Sequence, residues 1–183
     1  MTATAAVERL DLEALRGDRT AFDAWYERTA PRVYAYVLTR CGRDTHLAEE
    51  ITQQAFVAAL RDGRAHPIGD AFGWLCGIAR HKLVDHYRRL EREERLGVRM
   101  VREITPIDEL AAWRVPEERE TIERALRILT PVQRLAFLYR YLDRLSIREV
   151  GALIGKSEKA TESLIGRARE RFEQAYEEAI DAD

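Results

Sequence analysis

Between Leu145 and Ile165 the chain reads LSIREVGALIGKSEKATESLI, and the two glycines in it restrict what this stretch can fold into. Apolar Ile147, Val150 and Ile154 recur at helical spacing before Gly155. Thr161, Leu164, Ile165, Ala168 and Phe172 do the same after it, so two short helices around a tight turn are predicted. Ser146, with Glu149 three residues on, forms a capping box, and Ser157 can cap the second helix. Gly151 has no side chain where the second helix would cross the first, and Gly155 permits the left-handed conformation that a tight turn needs. The pattern is that of a helix-turn-helix, which offers the start of its second helix to the major groove of DNA. A helical hairpin with two incidental glycines fits the same residues.

The remainder also reads as helix. Asp18 precedes a helical run with Trp25 and Tyr26, and Pro31 suits the first turn of a second run that Cys41-Gly42 ends. Asp44 can cap the next helix, where Leu47, Ile51 and Ala55 line one face, with Glu49, Glu50, Gln53 and Gln54 opposite. Arg61 to Gly69 is a loop, and Asp70 caps a helix with Ala71, Leu75, Ile78 and Ala79 inward and Arg80, His81, Val84, Tyr87 and Arg88 outward. Ile122, Ala125, Leu126 and Leu129 form a further apolar stripe. After Thr130-Pro131, Leu135, Leu138, Tyr139 and Leu142 form another. The expectation is an all-α chain of two small domains, residues 1–90 and 121–183, joined by a charged, proline-containing linker over 91–120.

Composition narrows the function. The 183 residues carry a formal net charge of -2, yet residues 71–102 and 129–172 are each +4, while 173–183 is -5. Two basic surfaces could meet phosphate, with acidic segments opposing indiscriminate binding, although helical surfaces also alternate in sign by chance. Two cysteines without a CxxC and four histidines outside zinc-ligand spacing exclude a zinc finger and a disulfide framework. There is no glycine-rich phosphate loop, nucleophile elbow or metal set, so an enzyme is the least favoured class and no cofactor is expected. The longest apolar run is six residues, Ala55 to Leu60, and a cytoplasmic location is expected.

Several words of the sequence, in order and at this spacing, resemble bacterial sigma factors of the extracytoplasmic-function group. They are Ala21 to Tyr26, Ala48 to Phe56, Phe72 to Arg80 with Asp85 and Arg88-Arg89, Leu129 to Arg134, and the helix-turn-helix ending in Arg167-Ala168-Arg169. The resemblance spans roughly residues 18 to 172. It implies a dissociable subunit that binds core RNA polymerase, recognises and melts promoter DNA, and catalyses nothing itself.

Carried over residue by residue, the resemblance assigns core-polymerase contact to Glu49, Glu50, Gln53 and Phe56, with burial of Phe56 as the competing reading. Arg64, His66, Arg80, His81, Tyr87 and Arg88 would meet the minus-10 element, where strand separation needs cations and a stacking surface. Trp74 reads as a core tryptophan, and Asp85 as an intrahelical partner of Arg88 or Arg89. Ser157, Lys159, Ala160, Glu162, Ser163, Arg167 and Arg169 would face the minus-35 element.

The chain departs from the family pattern at Gln54, usually acidic, and at Glu162 and Leu164, commonly basic. Glu162 can accept from a cytosine amino group but repels phosphate, which would make promoter use depend on an activator or on minus-10 contacts. An anti-sigma factor is a common regulator in the family. The competing classes are a stand-alone helix-turn-helix regulator and a helical adaptor.

Overall fold

The computed structural model describes residues 17–62, 68–95 and 117–181, and seven α-helices follow one another within them. They are α1 (Arg19–Arg40), α2 (Thr45–Arg61), α3 (Ala71–Arg95), α4 (Glu117–Arg127), α5 (Pro131–Tyr141), α6 (Ile147–Ile154) and α7 (Glu158–Asp181). The chain forms two compact units. One contains the chain up to Thr39 with His46–Leu83, and the other contains Arg40–Thr45 with the chain from Val84 onward. The division falls inside α3. Most of the segment read as a linker, residues 96–116, lies outside the described residues. No helix among the described residues is long and apolar enough to cross a membrane.

In the first unit, α1 is one continuous helix through Pro31, where the sequence suggested two. A proline inside a helix removes one backbone bond, and here the buried stripe of Trp25, Val33 and Val37 runs across it and holds both halves in one phase. The predicted stripe of α2, Leu47, Ile51 and Ala55, is buried, and Phe56 joins it. Trp25 meets Phe56 edge-on, with ring centroids 5.0 Å apart. Asp70 starts α3 by accepting the Gly73 N–H at 2.9 Å.

The outward assignment of Val84 and Tyr87 is corrected, since they are 3% and 8% exposed. The buried arc of α3 is centred toward Cys76 and Leu83, which the sequence reading left out, rather than toward the half-buried Ile78. Tyr87 donates its hydroxyl to the Cys41 carbonyl at 3.4 Å.

In the second unit, Leu126, Leu129, Leu138 and Ala168 form a core against which Phe137 and Phe172 pack. Thr130 and Gln133 close a capping box at the start of α5, with Pro131 in the first turn. Two residues expected inward are exposed, Ile122 at 39% and Leu142 at 57%. Leu142 is the cap residue after α5, beyond the last position the helical phase governs, and the buried stripe of α4 runs through Thr121, Ala125 and Leu126 instead of Ile122.

The turn between α6 and α7 follows the sequence closely. Ser146 and Glu149 close the capping box, Gly155 is left-handed at φ 68°, and Ser157 accepts from the Ala160 N–H at 3.3 Å. A methyl group at Gly151 would lie 2.9 Å from both the Thr161 hydroxyl and the Lys156 carbonyl, so the helices cross at a distance only glycine allows. Thr161 is fully buried at this crossing and donates to the Ser157 carbonyl at 2.9 Å.

Gly151→Ala is expected to lower stability by about 1–3 kcal/mol through overpacking. A methyl group at Gly166 meets nothing within 4 Å, so Gly166→Ala should raise stability by about 1 kcal/mol. Urea unfolding of the two variants should shift the midpoint in opposite directions.

Burial pushes the Cys41 thiol from 9.0 to about 12 and also raises the Tyr87 hydroxyl. The folded chain keeps these protons at a pH where the unfolded chain releases them. Their contribution is therefore complete below pH 9.0 and is lost as pH rises toward about 12. Urea midpoints should fall between pH 8 and pH 10.5, and Cys41→Ala should reduce that fall.

Candidate functional site

The outer side of α2 is polar because its apolar residues are used up on the inner side. Glu49, Glu50 and Gln53 are exposed, and half-buried Gln54 donates to the Glu50 carboxylate at 3.0 Å. Phe56 does not belong to this surface. It is 3% exposed, and its ring packs on Trp25 and Tyr26 at 5.0 and 4.7 Å, so its assignment as a docking contact is corrected to a core role.

The exposed apolar residue is its neighbour Val57, at 46%. The sequence held that signal, because Val57 lies three, four and seven residues from Gln54, Gln53 and Glu50 and so shares their face. Two concavities flank α2. Toward α3 lies an open groove of about 640 Å³ bordered by Glu50, Val57, Arg61, Ile78 and Lys82, and toward α1 lies an equally open cavity of about 280 Å³. Gln53 borders both.

On α3, His81 and Arg88 are exposed and seven residues apart, which places them on one face of the helix. The His81 Nδ1 lies 2.8 Å from the Gly77 carbonyl, which puts the proton on that nitrogen and leaves Nε2 outward. Arg80 is half-buried and donates to the Cys76 carbonyl at 3.4 Å. Tyr87 is removed from the predicted DNA surface by its burial, and Trp74 is half-buried rather than a full core residue. Arg89 pairs with Glu93 at 3.9 Å, not with Asp85. Arg64 and His66 lie outside the described residues.

On α7 and at its capping residue Ser157, every residue predicted for the minus-35 element is exposed: Ser157, Lys159, Ala160, Glu162, Ser163, Arg167 and Arg169. Thr161, Ile165 and Ala168 are buried between them. Leu164 is half-buried on the inner side, while Glu162 is exposed. Arg167 donates to the Ser163 carbonyl at 3.3 Å. Arg169 pairs with Glu173 at 2.7 Å, and that hydrogen bond raises its pKa further. Arg171 ties α7 to the start of α5, donating to Gln133 at 3.0 Å and to the Ile128 carbonyl at 2.9 Å.

These features define a helical protein with a helix-turn-helix in one unit and a helix with a polar outer face in the other. Residues 25–93 match the family described as sigma-70 region 2, and residues 119–172 match sigma-70, region 4. The chain is 32% identical over 154 residues to the ECF RNA polymerase sigma factor SigK of Mycolicibacterium vanbaalenii, covering 80% of this chain and 77% of that protein. It is 31% identical over 175 residues to the ECF RNA polymerase sigma factor SigC of Mycobacterium tuberculosis, covering 93% of each. The fold is similar to that of the sigma factor RpoE in its co-crystal structure with the anti-sigma factor NepR from Bartonella quintana. The TM-score is 0.55 at 19% identity, over 86% of this chain and 97% of that one. The chain belongs to the extracytoplasmic-function group of the sigma-70 family.

Phe56→Ala should cost about 3–5 kcal/mol, the usual loss for a buried phenylalanine. Val57→Ala should stay within about 1 kcal/mol. Chemical denaturation of the two neighbours separates a core residue from a surface one.

Proposed function

We propose that this chain is a promoter-specificity subunit that docks on core RNA polymerase through the outer face of α2 and meets promoter DNA through α3 and α7. The observation that carries the DNA part is the division of α7 with its capping residue Ser157: the seven proposed reading residues are exposed while Thr161, Ile165 and Ala168 hold the helix down. A helix held this way presents its first turns to the major groove, with Arg167 and Arg169 set back toward phosphate.

The α2 face suits a protein partner rather than DNA. It combines carboxylates and amides with the exposed Val57, a mixture that phosphate would reject and a protein surface accepts. His81, Arg80 and Arg88, together with Arg64 and His66, are the residues we assign to the minus-10 element and its displaced strand. Phosphodiester chemistry belongs to polymerase, and the chain acts beside it in the cytoplasm. An anti-sigma protein is the regulator most in keeping with the family.

Glu162 is the residue that sets this reading apart from a strongly binding family member. Exposed on the second turn of α7, it accepts from a cytosine amino group and repels phosphate. Glu162→Arg should tighten binding to duplex DNA about fivefold at low salt and steepen the salt dependence, read by fluorescence anisotropy.

The docking test is a native pull-down of the full chain with core polymerase. Glu50→Ala should weaken stoichiometric retention and Val57→Asp should reduce it about tenfold or more. A chain that core does not retain, but that binds duplex DNA alone, would overturn the proposal in favour of a stand-alone regulator.

A further inference from the structure

The cavity of about 280 Å³ between α1 and α2 is walled by Tyr26 and Tyr34, with Glu27, Pro31, Glu49 and Gln53 around it. Its volume suits one long side chain and is below the usual range for small-molecule sites. The two tyrosines stand eight residues apart on α1, so their rings share a face of that helix. Phe56 fixes one wall, its ring 4.7 Å from that of Tyr26 and inclined at 62°.

The polar lining is rich in acceptors. Glu27 and Glu49 are exposed carboxylates, and neither is paired with a cation among the described residues. Pro31 has no N–H for the Glu27 carbonyl four residues back, so the helical ladder lacks that bond beside the cavity. None of the lining residues is basic. Flat aromatic walls with acceptors at the edge suit a planar cation with several donors. A guanidinium stacks on tyrosine and bonds carboxylate through paired N–H groups, whereas an ammonium offers only a point charge.

Glu49 and Gln53 belong both to this cavity and to the outer face of α2, so whatever covers that face also reaches the cavity rim. We infer that the cavity receives an arginine side chain from the polymerase surface on which α2 docks. The inference rests on the docking reading and adds its chemistry: Tyr26 and Tyr34 stack the guanidinium, and Glu27 and Glu49 hold its N–H groups.

Arginine footprinting tests it. Core polymerase, alone and in complex with the full chain, is treated with p-hydroxyphenylglyoxal, and the modified arginines are mapped by mass spectrometry. Complexes with Glu27→Gln and Glu27→Lys are treated alongside at saturating concentration. Glu27 is exposed, so both variants are expected to fold, and the lysine brings a resident cation to the cavity.

The wild-type chain should protect at least one polymerase arginine about fivefold. That protection should shrink with Glu27→Gln and vanish with Glu27→Lys, whose affinity for core falls about tenfold. A complex that forms normally yet protects no arginine overturns the inference and leaves the docking reading standing. So does one whose protected arginines are the same with Glu27→Lys. If core does not retain the wild-type chain, the docking reading falls and the inference falls with it.

Discussion

The edge-on contact between Trp25 and Phe56 anchors the first unit. Trp25 is 2% exposed, and its indole nitrogen finds no acceptor among the described residues, so the ring is held by apolar contact alone. Leaving such a donor unpaired costs about 1–3 kcal/mol, which the burial of an indole against two further rings offsets. The contact clamps α1 to α2 and turns Glu49, Glu50, Gln53 and Val57 outward as one face. It also sets the wall of the α1–α2 cavity, since Phe56 touches Tyr26 as well. An exposed polar face is thereby mounted on a buried aromatic base.

The second unit solves a similar problem with small residues. Gly151 and Thr161 let α6 and α7 approach closely, and the buried Thr161 turns one set of α7 residues outward. Arg171 adds a polar strut to α5, spending its charge on Gln133 and a backbone carbonyl instead of on phosphate. A second cation of this helix, Arg169, holds Glu173 at 2.7 Å. Modest electrostatics of this kind fit a subunit whose DNA affinity arises largely after it has joined polymerase.

What could be read in the sequence divides along physical lines. Caps and turns were legible because their chemistry is local: the Ser146 and Glu149 box, left-handed Gly155 and the Asp70 cap all stand where the residues placed them. The exposed face of α7 was legible because its buried stripe is unambiguous. Positions that depend on what a helix packs against were not. Pro31 looked like a start because proline favours first turns, yet the common apolar stripe on either side carried the helix through it. Phe56 and Val57 are adjacent and both apolar, so only the aromatic cluster around Trp25 decides which one is hidden. Tyr87 was drawn outward by its basic neighbours, and a rotation of the buried arc toward Leu83 brought it in.

The helix α7 continues nine residues past the segment that matches sigma-70 region 4, and its last turn carries no basic residue. Glu177, Glu178 and Asp181 therefore crowd the end where the backbone carbonyls already concentrate negative charge, while the stack of Tyr176 on Phe172 and the Gln174 amide, donating to the Glu178 carboxylate at 3.0 Å, brace it. Added salt screens that repulsion and favours the helical end, while in a complex with DNA the same ions would loosen cations from phosphate. Ionic strength thus pulls the two ends of one helix in opposite directions, firming the tail as it releases the head.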